Sequence, residues 1–292
     1  MNFVPLLVGL ISMGLTATAV VVYLRRWLPA QVYATSTYTW VRGGFAAAQV
    51  LGVLAFLNGG LTTWSDLWWV GGSLVVSTGL AVFFGLLYFD RLVLGSRYRA
   101  PVRQFLRGLA TEAVEIAGIR SAVLVAIGII TYGACTGYSD LGVFGSVMAT
   151  LVLLVAAFLV GIVGIRVLAP RLSGVDLRAQ LFSNDEKMRI TASRTYIGCV
   201  LAVGIIMGSS AQGTLHSFTE VLLRTGVGAV ASLLVTLLIA RGVDGVLMPG
   251  RHSIRTAHRQ GNVNDATLAA IFLVIFAALA TPLGAEFAAL FF

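Results

Sequence analysis

The chain has 292 residues, 58% of them hydrophobic and only 11% charged, against roughly 25% charged in an ordinary soluble domain. A fold this poor in charge lacks the polar surface to face water, so a soluble enzyme or binding module is excluded and lipid is the expected solvent. The formal net charge of +8 would suit a nucleic-acid binder only if the arginines formed one face of a soluble domain. They fall instead in short clusters between apolar runs, as cytoplasmic loops do, where their partner is the anionic headgroup layer.

A bilayer core demands about 20 apolar residues per helix. Segments of that kind cover residues 3–24, 41–57, 67–89, 119–135, 141–168, 195–211, 221–240 and 266–290. The first is followed, not preceded, by Arg25 and Arg26, so it reads as a retained helix rather than a secretory signal. The second, fourth and sixth are short and open on Arg42, Arg120 and Arg194. Those side chains are expected to snorkel to the headgroups. Trp64, Trp68 and Trp69, at the start of the third, read as an interfacial belt. Cys135 and Cys199 lie in or beside apolar runs and are expected to be packed thiols rather than a disulfide or metal site.

Sidedness follows from arginine and lysine. Arg25, Arg26 and Arg42 bracket the first loop; Arg91, Arg97, Arg99, Arg103, Arg107 and Arg120 bracket the third. Arg166, Arg171, Arg178, Lys187, Arg189 and Arg194 surround the fifth loop, and Arg241, Arg251, Arg255 and Arg259 the seventh. The intervening loops at 58–66, 136–140 and 208–220 hold neither residue, and Arg224 alone departs from the pattern. The expectation is an all-α polytopic membrane helix bundle of about eight transmembrane helices, with basic loops on the cytoplasmic side and both termini on the other side.

Between the third and fourth segments, residues 96–118 carry Val102, Phe105, Leu106, Leu109, Ala113 and Ile116 at helical spacing, with Arg99, Arg103 and Arg107 off that stripe. Pro101 suits a first helical turn. The pattern fits a basic amphipathic helix on the headgroups or an ordinary solvated connector.

The two halves share one plan, residues 1–138 and 139–292. A gapless register pairs Trp64 with Phe218, Asp66 with Glu220, Gly72 with Gly226, Asp90 with Asp244 and Arg97 with Arg251. Four helices per half is an even number, so the halves enter the membrane in the same sense, as two parallel four-helix repeats. A homo-oligomer could form the same pairing between chains. The stretch FFGLLYFDRLVLGSRYRAPVRQFLRGLATEAVEIAGIRSAVLVAIGIITYGACTG, residues 83–137, resembles the domain of unknown function 350 family, the YjfL-type inner-membrane proteins of bacteria. The resemblance implies a tandem duplication. In it Asp90 and Asp244 match the family's acidic position at the end of the third helix of each unit. Gly261, Asn262 and Val263 match its Asn-plus-small opening of an even-numbered helix. The second and sixth helices lack that Asn. The family implies topology and location, not a mechanism.

Few polar residues interrupt the spans, and each is a candidate contact for a solute or ion. Gln49 lies in the second helix. Glu220 and Arg224 open the seventh, four residues apart, a spacing that lets them pair on one helix face; they serve either an outward-facing ligand or helix anchoring. Asp90 and Asp244 stand at helix C-termini, where the dipole disfavours a carboxylate. That placement points to a specific partner or to solvation among headgroups. Asp66, with Asp140, Glu220 and Glu286, could form an acidic outer mouth. The matched second and sixth helices, rich in glycine at Gly43, Gly44, Gly52, Gly198, Gly204 and Gly208, suit either a transporter site between them or close helix packing. No phosphate loop, zinc-protease or serine-hydrolase motif occurs, and no cofactor is implied. His216, His252 and His258 are scattered. The leading expectation is a non-enzymatic membrane protein of envelope homeostasis or of a membrane complex. Its rival is a small-solute or ion transporter or channel.

Overall fold

The computed structural model describes residues 114–137, 173–210, 218–246 and 253–290, with Pro170 and isolated helical positions between Leu7 and Leu54. The described residues form six helices: α1 (Val114–Gly137), α2 (Leu177–Leu181), α3 (Glu186–Ser210), α4 (Phe218–Val246), α5 (Ile254–Gln260) and α6 (Val263–Ala289). Among them α3, α6 and most of α4 (Leu223–Val246) are long and apolar enough to cross a membrane. The expected spans 67–89 and 141–168, all but isolated positions of 3–24 and 41–57, the tryptophan belt, His216, His252 and the stripe ahead of Val114 lie outside the described residues.

Two helices begin five or more residues earlier than hydropathy predicts. α3 runs 25 residues from Glu186, nine ahead of Thr195, because Asp185 caps it. The Asp185 carboxylate accepts from Lys187 N at 2.9 Å, and its carbonyl accepts from Arg189 N at 3.1 Å, meeting donors that a helix start leaves open. α1 runs 24 residues from Val114. Its polar first turn is held to α3 by Arg189 Nε donating to Glu115 Oε1 at 3.3 Å and Ser193 Oγ donating to Glu115 O at 2.8 Å. The fourth and sixth segments are therefore not short helices; only their apolar stretches are short. Arg120 also departs from expectation. It is 1% exposed, so it does not snorkel to the surface.

α3 is the centre of the bundle, packed between α1 and α6, with α4 packed chiefly on α6 and also touching α3. Glu115 meets Arg189 and Ser193 near the starts of α1 and α3, while Gly133 meets Gly208 near their ends, so the two helices run parallel. α6 is parallel to them as well, with Gly261 against Lys187 at one end and Ala270 against Gly198 further along. α4 runs the other way: its Gly228 lies near Ser210, Gly284 and Ala288, and its Asp244 reaches the start of α5. The chain thus leaves α1 at one end of the bundle and enters α3 at the other. Lys187, Arg189, Arg241, Arg255 and Arg259 all belong to that second end.

Burial runs opposite to hydropathy. α3, with the lowest mean hydropathy of the three at 1.6, has 72% of its apolar window buried; α4 at 1.9 and α6 at 2.3 have 28% each. Leu223, Val230, Leu234 and Leu238 line an exposed face of α4, and Leu268, Ile271, Ile275, Leu279 and Leu283 one of α6. Apolar stripes this long on the outside are unstable against water and stable against lipid. Where the helices cross most closely the interior uses small side chains, which let backbones approach where lipid removes the usual hydrophobic driving force. A methyl on Gly204 would lie 2.7 Å from Ala126 Cβ, and one on Gly198 2.8 Å from Ala270 Cα.

α6 also contains Pro282, which cannot donate to the carbonyl four residues back. Thr281 Oγ1 donates to that carbonyl, Ala278 O, at 2.8 Å. In hydrocarbon an orphaned carbonyl is costly, and a neighbouring hydroxyl is one of the available remedies.

Candidate polar site at the basic end

Two short helices close the basic end. Asp176 caps α2, its Oδ1 accepting from Arg178 N at 3.0 Å and Ala179 N at 3.2 Å. Ser253 caps α5, its Oγ accepting from Thr256 N at 3.2 Å. Gly261 ends α5 with φ 64°, in the left-handed region, and Asn262 N donates back to Ala257 O at 2.9 Å, a glycine-dependent helix stop. Asn262 then starts α6: its Oδ1 accepts from Asp265 N at 3.3 Å while its Nδ2 donates to Asp265 Oδ2 at 2.6 Å. The Gly261–Asn262 pair alone therefore ends one helix and begins the next.

Asp244 ties the end of α4 to the start of α5. Its Oδ1 accepts from Ile254 N, the first amide of α5, at 2.7 Å. A carboxylate at the C-terminus of α4 faces the wrong end of its own dipole, and here it finds a specific partner in the free N–H of the next helix rather than headgroup solvation.

α5 is pinned to the bundle through His258, which is 0% exposed. Its Nε2 lies 2.9 Å from Thr195 Oγ1 on α3, and its carbonyl accepts from Gln180 Nε2 of α2 at 2.9 Å. Thr195 Oγ1 in turn donates to Thr191 O at 3.3 Å. With that hydroxyl proton committed, the consistent assignment has Nε2–H donating to Thr195. Nδ1 is then a buried acceptor without a donor, and so is Gln180 Oε1. Burial pushes the His258 imidazole down to about 4, so it is neutral near pH 7.

Beside Thr195 lies a cavity of about 20 Å³ lined also by Asp244, Ile254, Ala269, Leu273 and Phe276. That volume holds about one water. Its walls are mostly apolar, with Phe272 and Phe276 stacked at 5.8 Å.

The structure does not gather the residues expected to touch a solute. Gln49, Asp66 and Asp90 lie outside the described residues. Glu220 falls in the first turn of α4 and Arg224 is half-buried one turn on. Asp244 is at the other end of the same helix, roughly 36 Å away at the rise of an α-helix. Glu286 is exposed near the end of α6. Among the described residues no three His, Cys, Asp or Glu side chains cluster to hold a metal ion. Sequence reasoning passed over Thr195, Gln180 and His258. The caps around residues 253–262 were a usable signal that His258 sits in a small ordered helix. Its partner, 63 positions away, left no local trace.

Comparison with protein families, curated proteins and solved structures finds no match to this chain.

Proposed function

We propose that the chain is a non-enzymatic integral protein of the bacterial inner membrane, a tightly packed bundle of two parallel four-helix repeats that serves a membrane complex or envelope homeostasis. The observation that carries this reading is the interior of α3. Gly198, Gly204 and Gly208 bring its backbone against Ala270, Ala126 and Ile129, which suits packing better than a solute path. The parallel run of α1 and α3 supports a further crossing in residues 141–168, as eight spans require. Asn262 as the cap of α6 supports the resemblance to the domain of unknown function 350 family. The arginines at one end of the bundle support a cytoplasmic face held against anionic headgroups.

Transport is the second reading, and one observation favours it: Arg120 is buried within α1, and an ionisable group inside a membrane helix is a functional candidate by default. The site would then lie between the second and sixth helices.

Reconstitution decides between the two. Purified protein in liposomes is expected to pass no member of an ion and metabolite panel above protein-free vesicles. Robust flux that disappears in Gln49→Ala, Glu220→Gln or Arg120→Gln would overturn the packing reading. Sidedness is tested by single cysteines placed at Arg178, Arg259 and Glu286. The first two are expected to label only from the cytoplasm, and Glu286→Cys only from outside.

A further inference from the structure

The ties around α5 are unequal in kind. Those from Asp244 and Gln180 run to its backbone, whereas the contact with α3 runs through one titratable side chain. His258 Nε2–H is spent on Thr195, so an added proton must go to Nδ1, which has no hydrogen-bond partner. The resulting imidazolium would be fully enclosed, and an enclosed charge is tolerated only with a matching partner.

Among the described residues, the carboxylates at this end of the surrounding elements are engaged elsewhere or face solvent. Asp176 of the α2 cap holds Arg178 and Ala179 amides. Asp185, at the cap of α3, holds the Lys187 amide, and Glu186 beside it is exposed. Asp244 of α4 holds the Ile254 amide. Asp265 of α6 accepts from Asn262. The remaining charged groups near this end of these elements are cationic: Arg178, Lys187, Arg189 and Arg194 of α2 and α3, Arg241 of α4, and Arg255 and Arg259 of α5; Glu220 and Arg224 of α4 and Glu286 of α6 lie toward the opposite ends of their helices. They oppose a second positive charge at His258.

We propose that α5 is an acid-released latch: protonation of His258 frees the helix from Thr195 and Gln180, the Asp244–Ile254 bond parts as the helix moves, and the Thr195–Asp244 cavity at the basic end of the bundle is uncovered. The Gly261–Asn262 joint is the hinge. Asn262 caps α6 from its own side chain, so α6 can keep its start while α5 swings away. The release is local, because α3 is held independently by α1 and α6.

Hydrogen exchange on the full-length protein in detergent micelles, corrected for the intrinsic pH dependence of amide exchange, tests this. Amides of residues 254–262 are expected to lose about tenfold in protection between pH 7.5 and 5.5, the change one proton on an ordinary histidine site produces when the closed state excludes it. Amides of residues 196–208 in α3 are expected to stay unchanged. In His258→Gln, which keeps a donor toward Thr195, the α5 response is expected to vanish. Protection of α5 that is independent of pH overturns the latch. So does loss of protection in α3 together with α5, which means global unfolding, and so does an unchanged response in His258→Gln. If the glutamine variant fails to fold, the comparison of α5 with α3 in the native sequence decides alone.

Discussion

His258 and Thr195, 63 positions apart in sequence, meet at 2.9 Å between a seven-residue helix outside the membrane-spanning segments and the central helix of the bundle. This bond fixes the short helix to the part of the molecule with the densest packing. Replacing Thr195 with Val keeps the shape and removes the hydroxyl. The Nε2–H of His258 is then a buried donor without an acceptor, which costs about 1–3 kcal/mol. Thermal unfolding in detergent micelles at pH 7.5 is expected to show a lowered midpoint. A Thr195→Ser variant, which retains the oxygen, is expected to recover most of the difference.

Acid is expected to destabilise the fold through the same imidazole. Folded His258 titrates at about 4, whereas an unfolded histidine titrates near 6.5. Between those values the unfolded chain takes up a proton that the folded chain refuses. The stability from this group is therefore fully present above about pH 6.5 and is lost as the pH falls toward 4. The gap corresponds to roughly 3 kcal/mol. The difference in unfolding midpoint between native protein and His258→Gln, followed from pH 7.5 to 4.5, isolates the histidine from the carboxylates. A constant difference across that range contradicts the expectation.

The interior of α3 is expected to reject even one methyl group. Gly204→Ala would place its Cβ 2.7 Å from Ala126 Cβ, an overpacking that costs about 1–3 kcal/mol. Gly226→Ala on α4 has no atom within 4 Å, and alanine favours the helix by roughly 0.5–1 kcal/mol. The two substitutions are chemically identical, so opposite shifts in denaturation midpoint report packing rather than helix propensity.

Leu234 is 55% exposed near the centre of the Leu223–Val246 span. On a water-facing surface Leu234→Arg would change stability by no more than about 0.5 kcal/mol. In hydrocarbon it costs about 2.5–3.5 kcal/mol on insertion scales. A glycosylation-reporter insertion assay of the α4 segment is expected to show a marked drop. Unimpaired insertion argues that this face meets another protein or water.

In α6, Thr281→Val is expected to destabilise by roughly 0.6 kcal/mol, an average membrane hydrogen bond, because the Ala278 carbonyl loses its donor beside Pro282. Adding Pro282→Ala restores a backbone donor for that carbonyl, and the double variant is expected to regain the loss.

The amino-acid sequence by itself determined the solvent and the charge asymmetry, because both depend on totals over whole segments. A run of about twenty apolar residues suits lipid, and Arg and Lys cluster in alternate loops of the sequence, Arg224 apart, regardless of how the helices pack. Asn262 as a helix opening came from the family resemblance, not from hydropathy, which placed the span at 266–290; the cap itself is a contact over three residues. Helix lengths were another matter: α3 starts at Glu186 because Asp185 supplies a cap and because Ser193 and Arg189 find Glu115 on α1, and hydropathy is blind to such ties. Only the tertiary structure decided that Arg120 is enclosed, that Asp244 serves α5, and that His258 closes on Thr195. Each depends on which surfaces of distant helices meet, and small residues that permit close approach at many registers do not declare in advance which one is used.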